Sequence, residues 1–314
     1  MKSDFNKEQA IGIMSGAGAY LLWGILPLYW KLVSEVPSEV VLAHRIIWSF
    51  AFMIVILLML GKASTLWKDL ITIIKQPKKM TSITFASLFI SINWFAFIWA
   101  VNHDHVIQTS LGYYINPLIS VLLGILFLKE RLSFWQFISV LLATIGVLNL
   151  VFQFGEIPWV SLILAVSFGL YGLLKKTARL GAMIGLTIET LLITPFAIGY
   201  LVFTYNSLPE AFYASNTTTM LLLLGAGVVT AIPLLLFATG ANRISLSMIG
   251  FLQYIAPTLM LIQGIFLYGE SFTSHHAVSF TLIWVALLIF TLSRTKLFRR
   301  IQPGGLQRKH SYES

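Results

Sequence analysis

Ten runs of roughly 20 apolar residues divide this chain, and few structures are open to a chain so divided. In hydrocarbon every backbone amide and carbonyl needs a protein partner, so a spanning segment is either a helix or a strand of a closed barrel. Runs this long predict helices, because a membrane strand needs only about 10 residues. They fall at 10–32, 38–60, 81–101, 106–128, 133–152, 157–174, 182–203, 218–239, 246–268 and 275–293. Charged residues make up 11% of the chain, against about a quarter in soluble domains. The connectors are too short for a soluble domain. The expected fold is an all-α polytopic membrane protein.

The net charge is +9, yet its distribution argues against a nucleic-acid partner. Of 21 Lys and Arg, 19 fall in alternate segments: the N-terminus, the connectors after spans 2, 4, 6 and 8, and the tail after span 10. Lys31 alone lies on the other side, and Arg45 lies inside span 2. This skew predicts both termini in the cytoplasm of a cell inner (plasma) membrane. It also supports the span count, since one missed helix would scramble the alternation. The basic tail, 294–314, reads as a topology anchor beside anionic lipid. There is no cysteine, which excludes disulfides and thiol chemistry. The first apolar run is longer than a signal peptide core and reads as a retained helix.

Sliding the sequence by 140 residues aligns 97–133 with 237–273 without gaps. Phe97, Asn102, Tyr114, Ile115, Pro117, Gly124, Ile125 and Glu130 recur as Phe237, Asn242, Tyr254, Ile255, Pro257, Gly264, Ile265 and Glu270. Trp23-Gly24 matches Tyr171-Gly172 more loosely, and Arg45 then falls opposite Glu189. Each half, 10–152 and 157–293, holds five spans. Five is odd, so the second half enters the membrane inverted, an arrangement common in secondary transporters with a central site.

Intramembrane charges are costly and usually face a polar cavity. Arg45, with His44 and Trp48 beside it, suits a carboxylate or other anion; the plainer reading is a side chain reaching for headgroups. Glu189 suits proton or ion coupling, or a structural bond to a base. In span 4, Thr109, Tyr113, Asn116 and Ser120 share one helix face. Gln253 lies in the matching span 9. Trp23 and Asn93 are further candidates for a substrate cavity, although aromatic and amide side chains often only pack or tie helices. Pro27, Pro117, Pro195, Pro233 and Pro257 are candidate hinges, because proline breaks a helix bond. His103-Asp104-His105 and His275-His276 are weak metal signals, and no metal or cofactor is expected. No phosphate-binding loop or nucleophile elbow is present.

The ten spans, the five-plus-five duplication and the helix-end Glu130 after a Tyr-x-x-Pro span resemble the EamA family of the drug/metabolite transporter superfamily. Gly24-Ile-Leu-Pro-Leu-Tyr-Trp-Lys31, His44-Arg45, Asn93-Trp94, Gly112-Tyr-Tyr-Ile-Asn-Pro117, Lys129-Glu130-Arg131 and Gln253-Tyr-Ile-Ala-Pro-Thr258 are similar to its RarD branch, whose members often carry the label chloramphenicol-sensitive protein. The resemblance covers residues 10–293. It implies a ten-helix inverted-repeat carrier, commonly an exporter of small molecules. The expected function is secondary active transport of a small polar or amphipathic metabolite or drug by alternating access. The alternatives are an importer, a lipid-acting membrane enzyme, and a sensor or scaffold; a homodimer is compatible with the apolar surface.

Overall fold

The computed structural model describes residues 2–102, 106–155, 157–207, 217–268, 274–293 and 298. Twelve helices, all the regular structure among those residues, follow one another: α1 (Lys2–Lys31), α2 (Ser38–Met59), α3 (Ala63–Ile74), α4 (Pro77–Asn102), α5 (Val106–Leu128), α6 (Phe134–Phe154), α7 (Trp159–Ala178), α8 (Ala182–Ser207), α9 (Thr217–Ala241), α10 (Leu246–Leu252), α11 (Ile255–Tyr268) and α12 (Ser274–Leu292). Among the described residues nine stretches are long and apolar enough to cross a membrane, with α10 and α11 counted as one. The tenth expected span is the shorter apolar stretch His276–Leu292. This is a multi-pass membrane protein.

Polar residues set the helix limits where the apolar runs cannot. Ser133 and Gln136 form a reciprocal cap at the start of α6, with the Ser133 amide donating to Gln136 Oε1 at 2.9 Å. Gly155, at φ 77°, ends that helix in the left-handed conformation that glycine tolerates. Proline behaves unevenly. Helices α1, α5, α8 and α9 run without interruption through Pro27, Pro117, Pro195 and Pro233. Only before Pro257 does the helix stop, at Gln253–Tyr254, one turn earlier, where proline leaves a carbonyl without its usual amide. The Gln253 carbonyl accepts the Ala256 amide instead, in a tighter turn.

The sequence repeat is legible in the packing. Helix α4 lies on α7 as α9 lies on α1, and α5 lies on α7 as α11 lies on α1. Equivalent helices also meet each other across the middle: α2 with α8, α5 with α10, and α6 with α12. Each half therefore completes its packing on the other, and the fold is two inverted five-helix repeats sharing one core. At its centre Tyr20 and Trp23 from α1 meet Phe168 and Tyr171 from α7 and Phe237 from α9, with Trp23 5.6 Å from Phe168 and 5.8 Å from Phe237 between ring centroids. We call the side of the molecule that carries Lys62, Lys129, Arg179 and Arg243 the basic end.

Candidate functional site

Arg45, in the second turn of α2, meets side chains from both halves of the chain. Its Nε donates to Thr230 Oγ1 of α9 at 3.1 Å. The guanidinium carbon lies 4.3 Å from the Trp30 ring centroid at the end of α1 and 5.2 Å from that of Trp94 on α4. A cation over such a ring gains about 0.5–2 kcal/mol, which offsets part of the cost of leaving water. Tyr113 of α5 is close enough to interact with the charge. Among the described residues no carboxylate lies within 4.0 Å of the guanidinium, and its Nη nitrogens have no protein hydrogen-bond partner. The site thus holds a net positive charge, an unused guanidinium fork and flat apolar walls.

Local sequence explains why these elements converge. Gly227 of α9 has no side chain to hold α2 away, and a Cβ there would run into the Trp48 backbone. Ser49 Oγ donates to the Gly227 carbonyl at 3.0 Å. That contact sets Thr230, three residues on, beside Arg45. His44 Nδ1 accepts the Trp48 indole N–H at 3.0 Å, which fixes both side chains on α2. Trp30 reads from sequence as an interfacial belt residue, yet here it stacks on Arg45. Thr230 gives no sequence signal at all.

The other candidate residues divide. Tyr113, half-buried and 6.1 Å from the Phe97 ring, shares the Arg45 region. Asn116 is buried on α5 and its Oδ1 accepts Ser120 Oγ at 3.3 Å. Asn93 donates to the Leu164 carbonyl at 2.9 Å and Ser167 Oγ at 3.1 Å, tying α4 to α7. Trp23 belongs to the central aromatic cluster. Gln253 is buried at the break before α11, and its Oε1 has no hydrogen-bond partner among the described residues, nor do the hydroxyls of Tyr20 and Tyr254. Tyr114 donates to the Pro257 carbonyl at 3.0 Å, joining the two Tyr-Ile-x-Pro segments. His103, Asp104, His105 and Glu270 lie outside the described residues, and so does the His275 side chain.

Glu189, the repeat counterpart of Arg45, is in a different situation. It is buried on α8, its Oε1 accepts Lys175 Nζ at 2.8 Å, and its Oε2 accepts the Tyr171 hydroxyl at 3.2 Å. Counting charges by connector assigned Lys175 to the loop after span 6. Instead α7 continues to Ala178, which carries Lys175 inside the protein at 7% exposure. Arg45 and Glu189 do not pair with each other.

At the basic end a second arrangement joins the halves. Glu130 follows α5, and its carboxylate accepts the Leu246 amide at 2.6 Å, the Ser247 amide at 2.9 Å and Ser247 Oγ at 2.6 Å. Negative charge there satisfies the open amides at the start of α10. Lys176 donates to the carbonyls of Ala241 and Ile244, at the other side of the same turn. An open recess of about 930 Å³ borders this clamp, lined by Leu128, Glu130, Lys176, Arg179 and Asn242 among others.

Residues 10–152 match the model of the EamA-like transporter family. The chain is 52% identical over 289 residues to the uncharacterized transporter YojE of Bacillus subtilis (strain 168), covering 92% of this chain and 96% of that protein. It is 41% identical to protein RarD of Escherichia coli (strain K12), over 94% of this chain and 98% of the relative. One solved crystal structure, 19% identical, superposes with a TM-score of 0.67 over 90% of this chain and 97% of that one, and has the same fold.

Proposed function

Because the chain belongs to the EamA-like transporter family, we propose that it exports a small polar or amphipathic solute bearing a carboxylate, and that Arg45 holds that carboxylate. The observation that carries this reading is the uncompensated guanidinium between Trp30 and Trp94, bounded by both halves of the chain. A guanidinium fork matches a carboxylate with two parallel hydrogen bonds, and the two indoles suit an apolar or aromatic body. Tyr113 and Asn116 on α5, with Gln253 on the opposite repeat, supply further polar groups along the same bundle. The packing of the halves on each other supports alternating access, in which rocking one against the other would expose the shared middle to either side. Pro257, beside the broken helix, is the hinge we favour over Pro27 and Pro117. The chain acts as a carrier and not as an enzyme. It lies in the cell inner membrane with the basic end in the cytoplasm, as the charge skew argues.

Glu189 has its charge met by Lys175, so we assign it to holding α7 and α8 in register and not to ion coupling. The test compares organic anions released by cells making the intact protein, Arg45→Ala, Arg45→Lys or Glu189→Gln, at matched membrane levels. Release of a carboxylate by the intact protein, abolished by Arg45→Ala and weakened by Arg45→Lys, is the expected result. A neutral solute released equally by Arg45→Ala would sink the carboxylate reading.

A further inference from the structure

Between α2 and α4 lies a helix that no apolar run announces. Helix α3 has only 12 residues, yet three of its stripes differ in character. Leu66, Leu70 and Ile73 face the protein and pack with Ile83 of α4 and Ile184 and Ile188 of α8. Trp67, Ile71 and Ile74, roughly a quarter turn round, are exposed, at 65%, 38% and 60%. Lys68 and Lys75 occupy the next stripe, also exposed, with Lys62 before the helix and Lys78 and Lys79 just after it. Among the described residues none of these five lysines lies within salt-bridge distance of a carboxylate.

A helix with one face on the protein, one apolar face open and a basic face beside it lies in the plane of a membrane surface. Its apolar stripe enters the acyl boundary and its lysines stand at headgroup depth, where they meet the charge that the protein does not supply. We propose that α3 is a docking surface for anionic phospholipid headgroups in the leaflet at the basic end. Trp67 anchors the helix at the boundary, as tryptophan does at interfaces. Lys75, at the carboxyl end of α3, is well placed to bridge the helix to a phosphate. The occupied helix would press on α8 through Ile73 and Ile188, the neighbour of Glu189. This surface is separate from the Arg45 site and does not depend on what that site carries.

The full chain is reconstituted in phosphatidylcholine vesicles containing brominated phosphatidylglycerol or brominated phosphatidylcholine. The Trp67 signal is isolated as the difference between the intact chain and Trp67→Phe. Stronger quenching by the anionic lipid is expected. Lys68→Gln with Lys75→Gln should lower that preference by about 25-fold, at about fivefold per lysine. Arginine at the same two positions should restore it, which separates charge from misfolding. Equal quenching by both lipids, or a preference that survives the glutamine pair, overturns the proposal and leaves the stripe to an acidic protein segment. Loss of the preference on adding inorganic phosphate at millimolar concentration also overturns it, in favour of a free-anion site.

Discussion

Arg45 and Glu189 occupy corresponding places in the two repeats, and the protein treats them in opposite ways. Glu189 is closed off: buried, ion-paired to Lys175 at 2.8 Å and hydrogen-bonded to Tyr171. Arg45 has a hydroxyl and two aromatic faces, and no opposite charge among the described residues. Both sit within segments long enough to span the membrane, so depth alone does not distinguish them. The neighbours do. On the proposed reading, the charge that finds its partner within its own repeat serves the fold, and the one left unneutralised between repeats is available to a solute.

The largest effect should come from breaking the closed pair. Lys175→Met leaves Glu189 buried without its cation, and removing one partner of such a pair costs about 3–5 kcal/mol. Thermal unfolding in detergent should show a large drop, and Lys175→Met with Glu189→Leu should recover most of it. If the single change is harmless, Glu189 does not depend on Lys175 and the contrast fails. Arg45→Ala should weaken solute binding by an amount set by charged hydrogen bonds of about 1.5–3 kcal/mol, with thermal stability unchanged or raised. Lost stability equal to that of Lys175→Met would make Arg45 structural as well. Glu130→Gln leaves one acceptor oxygen where the carboxylate uses both, turning an amide NH2 toward a donor, and should lower stability by about 1.5 kcal/mol or more in the same thermal unfolding. Smallest is Asn93→Leu: its hydrogen bonds to α7 are worth about 0.6 kcal/mol by membrane-helix precedent, and unfolding should move little. A large loss of transport with intact stability there would return Asn93 to the cavity wall.

Most of the fold was legible because its determinants are local. An apolar run announces a spanning helix, and the spacing of basic residues fixes the alternation of connectors. Helix α3 was hidden because Lys68 and Asp69 interrupt its short amphipathic stretch, which a search for apolar runs passes over. The break at Gln253–Tyr254 was half visible: proline marks the weakened bond, but Pro117 in the equivalent repeat position leaves α5 continuous. The site was less legible, for a reason that the residues make plain. Arg45 and Glu189 stand out in a hydrophobic sequence, whereas Thr230 and Trp30 matter only because helices from distant parts of the chain bring them to Arg45. Lys175 looked like a connector charge because a lysine near a helix end ordinarily reaches water. Glu130 was marked by repetition, but its work lies in amides 116 and 117 residues away.

The clamp on the turn after α9 has a consequence for rates. Its three contacts to the Glu130 carboxylate, at about 1.5 kcal/mol or more each, weight the ensemble toward the shape in which they are made. Under the proposed alternating access, opening the basic end releases these contacts, and the empty carrier then rarely visits the other shape. Its cargo has to favour that second shape by roughly a thousandfold to bring the two into balance. A compound that fits only the clamped shape does the reverse and arrests the cycle. Tight binding and good carriage are therefore separate properties here, and a screen ranked by affinity alone would collect inhibitors.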